Sequence, residues 1–89
     1  MNIAIVDDEK VELETAETFL RCYIKKFLKD YESLIHIETF RAPDEFFFPN
    51  FYQVVILGGH MKAFANSIAA RVNRNAKIFL INDDCEVLS

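Results

Sequence analysis

The chain has 89 residues, carries a formal net charge of −4 at pH 7, and is 52% hydrophobic with nine Phe and two Gly. This length allows one domain, 1–89, and this composition indicates a compact fold rather than disorder. Because the longest basic pair is Lys25-Lys26 and no apolar run is long enough to cross a bilayer, we expect neither direct nucleic-acid binding nor membrane insertion by this segment.

The first predicted element is a short strand, Ile3-Ala4-Ile5-Val6, that ends in the acids Asp7-Asp8-Glu9. A β-branched run of this kind indicates a strand buried on both faces. In open α/β sheets the carboxyl ends of the strands form the ligand-binding edge, where two carboxylates could seat a hard cation such as Mg²⁺. The alternative is a solvated turn that opens a helix, since acids also favour helix N-termini. The spacing alone leaves both interpretations open.

A long helix is predicted over residues 9–31. Its apolar residues recur at helical spacing and include an aromatic stripe that we expect to contact the core. The apolar positions are Val11, Ala16, Phe19, Leu20, Tyr23, Ile24, Phe27, Leu28 and Tyr31. Cys22 falls within this helix, and Cys85 lies far away in sequence. Neither has zinc-site spacing, so we expect two free thiols in a reducing cytoplasm.

A second strand is predicted over residues 34–40, half exposed and at a sheet edge, because His36 and Glu38 share one face. No second ligand of matching spacing accompanies His36, which argues against a metal ligand there. Pro43 then favours the start of a very short helix, which contains three consecutive Phe and ends at Pro49.

The third predicted strand, 53–57, is continuous enough to be central and ends at Gly58-Gly59. A helical stretch follows Met61, with Phe64, Ile68, Ala69 and Val72 apolar. A fourth strand is predicted over 77–81, and Glu86-Val87-Leu88 suggests the start of another helix. The order β-α-β-α-β-α-β predicts a parallel sheet with helices on both faces.

This pattern resembles the receiver domain of two-component response regulators. The opening Asn2–Lys10 resembles the family's first strand and acid pair, 52–57 its third strand, and 76–81 its fourth. The long first helix and very short second one are most similar to receivers of LytTR-type regulators. The resemblance implies a flavodoxin-like three-layer αβα fold with four parallel strands in the order 2-1-3-4, lacking the last strand and helices of a full receiver.

The same resemblance identifies a degenerate site. It implies that Asp7 and Asp8 are vestigial Mg²⁺ ligands, with weak binding at best and no other cofactor. Gly58 occupies the position of the phosphate-accepting aspartate, and Ile81 that of a Thr or Ser. The family's fifth-strand lysine has no counterpart within 1–89. Because an aspartyl phosphate needs a carboxylate nucleophile beside the metal, we expect no phosphotransfer at Gly58 and no catalytic residues.

Two substitutes for the missing nucleophile remain open. His60 follows Gly58 closely, and Asp83-Asp84 follow the fourth strand. Their plainer interpretations are a loop residue and a solvated helix cap. An enzyme or nucleotide-binding protein on the same fold is less favoured, because Gly58-Gly59 lacks the spacing of a phosphate-binding loop.

The function expected from the resemblance is a non-phosphorylated, receiver-like domain that acts in signal transduction through protein–protein interaction. The partner is another protein or a second copy. A homodimer would use the fourth strand, because Ile78–Ile81 would otherwise leave an exposed apolar sheet edge. The alternative is the N-terminal part of a response regulator whose DNA-binding output module lies beyond Ser89.

Overall fold

The computed structural model describes residues 1–42, 51–64, 66–67, 75–81 and 86–87. The β-strands are β1 (Asn2–Val6), β2 (His36–Phe40), β3 (Val54–Gly58), β4 (Lys77–Ile81) and β5 (Glu86–Val87). The helical elements are α1 (Lys10–Phe27) and two 3₁₀ segments, Lys29–Leu34 and Gly59–Phe64. The predicted short helix at Pro43–Pro49 lies outside the described residues, as does most of the helical stretch predicted after Met61.

The strands form one sheet in the order β2-β1-β3-β4-β5. The first four are parallel, which confirms the predicted order 2-1-3-4. β2 lies at the edge of this sheet, as predicted, with His36 and Glu38 exposed. The result is a small α/β fold in which the apolar runs of β1 and β3 lie side by side in the interior of the sheet.

Alternation along the strands divides the sheet into two faces. Ala4 and Val6 of β1 belong to a buried cluster that also includes side chains of β3 and β4, together with Tyr52 and Met61. Ile3 and Ile5 point to the opposite face and are also buried. β1 is therefore buried on both sides, as the unbroken apolar run predicts.

The long helix α1 covers the face of Ile3 and Ile5. It buries Leu13 and Ile24, and Ile24 borders the same hollow as Ile37 of β2. α1 begins near the predicted position but ends at Phe27 rather than residue 31. Leu28 leaves the helical conformation at φ −126° and ψ 34°, and the chain continues as the 3₁₀ segment Lys29–Leu34.

The expectation that the aromatic stripe of α1 contacts the core is wrong. Phe19 is 74% exposed, Phe27 61% and Tyr23 47%. The apolar residues of α1 are spread over an arc wider than one helix face can bury. Leu13 and Ile24 face the sheet, so the aromatic side chains lie largely in solvent.

The chain near β4 also differs from expectation. Glu86–Val87 forms β5, not a helix, and pairs antiparallel with β4 through Phe79↔Val87 and Leu80↔Glu86. The prediction of an exposed apolar edge at Ile78–Ile81 is therefore wrong where β5 pairs, because β5 supplies the missing hydrogen-bond partners. Ile78 and Leu80 are fully buried.

Candidate functional site

The carboxyl edge of the sheet brings together the residues that the sequence singled out. β1 and β3 are neighbours, with Val6 opposite Leu57, so Asp7 and Gly58 both lie one residue farther along. Gly58 in turn lies opposite Ile81 of β4. Asp7, Gly58 and Ile81 therefore form a row across this edge. In the receiver resemblance these are the positions of the acid pair, the phosphate acceptor and the Thr or Ser residue.

Asp7 is a buried acid held by backbone hydrogen bonds. It is 4% exposed, the only buried polar or charged residue among those described. The N–H of Glu9 donates to its Oδ1 at 2.9 Å, and its own N–H donates to the carbonyl oxygen of Phe40 at 3.0 Å. The first bond forms an Asx turn that leads the chain from β1 into α1. Asp7 thus has a structural role in this turn, but the turn is buried at Asp7 and is not the solvated turn of the alternative interpretation.

The carboxylate of Asp7 lies directly against Gly58. A Cβ placed on Gly58 would be 2.2 Å from Oδ2 of Asp7, 2.5 Å from its Cγ and 2.9 Å from its Oδ1. Real Cβ atoms do not approach other atoms so closely, so any side chain at position 58 requires Asp7 to move. The φ angle of Gly58 is not positive, so backbone conformation does not require glycine here. The reason for glycine is the close approach of a buried carboxylate.

Of the other predicted site residues, some are exposed and some lie outside the part of the chain that the structure describes. Asp8 is exposed. Within the described part of the chain, no group of three His, Cys, Asp or Glu residues is placed to hold a metal ion. Asp83, Asp84 and Cys85 lie outside the described residues, as does the side chain of His60. The described cysteine, Cys22, is a free and exposed thiol, as expected.

Sequence reasoning missed a polar contact on the other half of the sheet. The hydroxyl of Tyr52, just before β3, donates to Oε2 of Glu38 on β2 at 2.7 Å. Burial of Tyr52, and then the hydrogen bond and negative charge of Glu38, raise the pKa of this hydroxyl well above its usual value. β1 lies between β2 and β3, and its residue opposite Glu38 is Ala4. The hydrogen bond between Tyr52 and Glu38 can therefore pass over β1, because the side chain of Ala4 is small. The sequence predicted that Glu38 lies on a half-exposed face of β2, but it gave no sign that Tyr52 is its hydrogen-bond partner.

Sequence reasoning also missed the surface that we call the α1 outer face, formed by Val11, Phe19, Tyr23 and Phe27. All four side chains are exposed, Val11 at 67%. Tyr23 and Phe27 are in ring contact, with centroids 4.9 Å apart. A shallow open depression of about 500 Å³ runs along the helix beside Val11 and Phe19. A contiguous apolar surface of this kind on a small domain usually marks an interaction site.

Family models, curated proteins and solved structures give no match to this chain. In the described residues, no helix has the length and apolarity that crossing a membrane requires.

Proposed function

We propose that this chain is a receiver-like signalling domain that works through protein–protein contact and does not accept a phosphoryl group, because Gly58 occupies the acceptor position. The proposal includes a flavodoxin-like, three-layer arrangement and a cytoplasmic location. Its support is the parallel order 2-1-3-4 together with two acids at the carboxyl end of β1. This is where receivers, which the sequence resembles, hold their acid pair.

The close approach of Asp7 to Gly58 is the observation that carries the proposal. Aspartyl phosphate formation needs a carboxylate at position 58, a metal beside it, and open space for the incoming phosphoryl group. Glycine supplies no nucleophile, and Asp7 occupies the volume in which a side chain at 58 would begin. Position 58 therefore lacks both a nucleophilic side chain and the space for one, because the carboxylate of Asp7 occupies that space.

Contact with another protein is the function that the exposed surface of α1 favours. The α1 outer face leaves large apolar side chains in water, and a small domain gains little by exposing them unless a partner covers them. Protein contact requires no chemistry at the sheet edge. It is therefore compatible with Asp7 stabilising the turn after β1 through its hydrogen bond with Glu9 and taking no part in a reaction.

Intact-mass spectrometry after incubation with Mg²⁺ and acetyl phosphate tests the proposal. We expect the mass to remain that of the unmodified chain. A near-stoichiometric phosphoryl adduct would overturn the proposal. In that case His60→Ala, Asp83→Asn and Asp84→Asn identify the acceptor, because the adduct disappears only in the variant that lacks it.

A further inference from the structure

The α1 outer face has a regular layout around Phe19. Successive helical residues turn by about 100°, so Tyr23 lies about 40° from Phe19 around the helix, and Val11 and Phe27 about 80° to either side. Among the side chains that the structure describes, Phe19 has the highest exposure of the large apolar ones, 74%, and it lies near the middle of α1. The surface is therefore centred on Phe19 both around the helix and along it.

Two opposite charges lie on the same surface at equal distances from Phe19. Glu12 is seven residues before it and Lys26 seven residues after it, and both are exposed. Seven residues are close to two helical turns, so each charge lies within about 20° of Phe19 around the helix. The neighbouring charge Lys25 is displaced from Phe19 by about 120° and lies off the surface.

We infer that the α1 outer face binds a second copy of this chain, with the two α1 helices antiparallel and the twofold axis passing beside Phe19. This inference rests on the proposed function, since it names the partner for the proposed protein contact. A twofold interface places the same patch of each copy against the other. Antiparallel pairing about Phe19 brings Glu12 of one copy level with Lys26 of the other, while Val11 and the other copy's Phe27 lie at the same height on opposite flanks of the contact.

The charges favour a second copy over an unrelated partner. A helix with an acid at one end of its apolar surface and a base at the other is complementary to itself only when reversed. Opposite charges at such positions set the orientation of paired helices and suppress wrong registers. The edge of β4, the sequence-based candidate for self-association, already pairs with β5.

The area available predicts a weak dimer. An aromatic side chain presents about 200 Å², so Phe19, Tyr23 and Phe27 at their observed exposures offer roughly 350 Å² per copy. With Val11 and the stems of the flanking charged residues, the total buried by both copies comes to about 1,000 Å². That is at the lower limit of specific interfaces, so we expect a dissociation constant in the micromolar range.

Charge reversal tests both the surface and the orientation. Sedimentation equilibrium from about 1 to 500 µM brackets the expected affinity. Glu12→Lys and Lys26→Glu should each weaken the dimer at least tenfold, since each creates two like-charge contacts per dimer. The double variant Glu12→Lys/Lys26→Glu should restore it. The matched control Lys25→Glu, in the same turn as Lys26 but off the surface, should leave the affinity within about twofold.

Cross-linking provides a second readout. In a Cys22→Ser/Cys85→Ser background, Phe19→Cys should form a disulfide-linked dimer on mild oxidation, because the axis places position 19 beside its own copy. Lys25→Cys, about 120° away around the helix, is the control and should remain monomeric. Circular dichroism establishes that each variant is folded.

A folded wild-type chain that is monomeric at every concentration would overturn the dimer. So would a dimer that is indifferent to both charge reversals, or one that Lys25→Glu weakens as much as Lys26→Glu. These outcomes leave the phosphoryl result untouched. The absence of an adduct in a monomeric chain would refute this inference while retaining a receiver-like domain that contacts a different protein.

Discussion

Replacing Gly58 with alanine should destabilise the protein because of Asp7. The added Cβ would lie 2.2 Å from Oδ2 of Asp7, so the carboxylate must rotate away. That rotation breaks the hydrogen bond from the N–H of Glu9, which is 2.9 Å long. Alanine is otherwise compatible with the backbone at this position, since no positive φ angle is involved.

The magnitude follows from three contributions. Overpacking a buried site costs about 1–3 kcal/mol, and losing a hydrogen bond to a charged acceptor costs about 1.5–3 kcal/mol. Replacing glycine restricts the unfolded chain and returns about 0.4–1 kcal/mol. The net loss for Gly58→Ala should be about 1.5–5.5 kcal/mol, which for a domain of this size lowers Tm by roughly 6–44 °C.

A double-mutant cycle at position 7, measured by urea denaturation, isolates the cause. In an Asp7→Ala background the three clashing atoms are gone, and Gly58→Ala should become neutral or stabilising by about 0.4–1 kcal/mol. In an Asp7→Asn background the shape is kept, and most of the loss should remain. If Gly58→Ala changes the free energy of unfolding of the wild type by less than about 0.5 kcal/mol, Asp7 does not pack against Gly58 as described.

Three further predictions concern the rest of the fold. Ile24→Ala, in the buried face of α1, should cost about 2–4 kcal/mol in urea denaturation, whereas Phe27→Ala, on the exposed face, should cost less than about 1 kcal/mol; equal losses would contradict the assigned orientation of α1. Tyr52→Phe removes the hydrogen bond to Glu38 and should cost about 1 kcal/mol at neutral pH. Because the pKa of Tyr52 is raised in the folded state, the wild type holds this proton where the unfolded chain releases it. Its stability should therefore fall as pH rises above about 10, and Tyr52→Phe should flatten that fall; parallel curves for the two proteins would refute the assignment. Finally, about 10 mM Mg²⁺ should raise the free energy of unfolding by no more than about 0.4 kcal/mol. That is the rise expected if the protein binds Mg²⁺ with a dissociation constant of about 10 mM or weaker. A larger rise would indicate a working metal site.

The strands were predictable because their signal is local. Ile3–Val6 and Val54–Leu57 are unbroken apolar runs, and such runs indicate strands covered on both faces. β5 was not predictable in this way. Its two residues, Glu86–Val87, carry no strand pattern of their own and are extended because β4 offers hydrogen-bond partners.

The orientation of α1 was misjudged because periodicity indicates a helix without showing which side faces the sheet. Leu13 and Ile24 lie on one side of α1 and Phe19 on another, and both sides are apolar. Only the packing against β1 and β2 selects between them. The end of α1 was also misplaced, since no Gly or Pro marks the change at Leu28.

The candidate site was predictable in its position but not in its geometry. The sequence placed Asp7 and Gly58 at the same edge of the sheet, because each follows an apolar strand. It showed that the glycine lacks a nucleophile. It could not show that the carboxylate of Asp7 fills the space above Gly58, since that depends on a side-chain rotamer fixed by the N–H of Glu9.

The central claim is that the domain works through protein contact and is not phosphorylated. Sedimentation equilibrium of the wild-type chain tests it most directly. The experiment is run with and without Mg²⁺ and acetyl phosphate, and the intact mass is determined on the same samples. We predict an unmodified mass and a micromolar monomer–dimer equilibrium that is the same in both conditions. A phosphoryl adduct accompanied by a change in that equilibrium would contradict the claim, because it would show a working receiver that controls its contacts through phosphorylation.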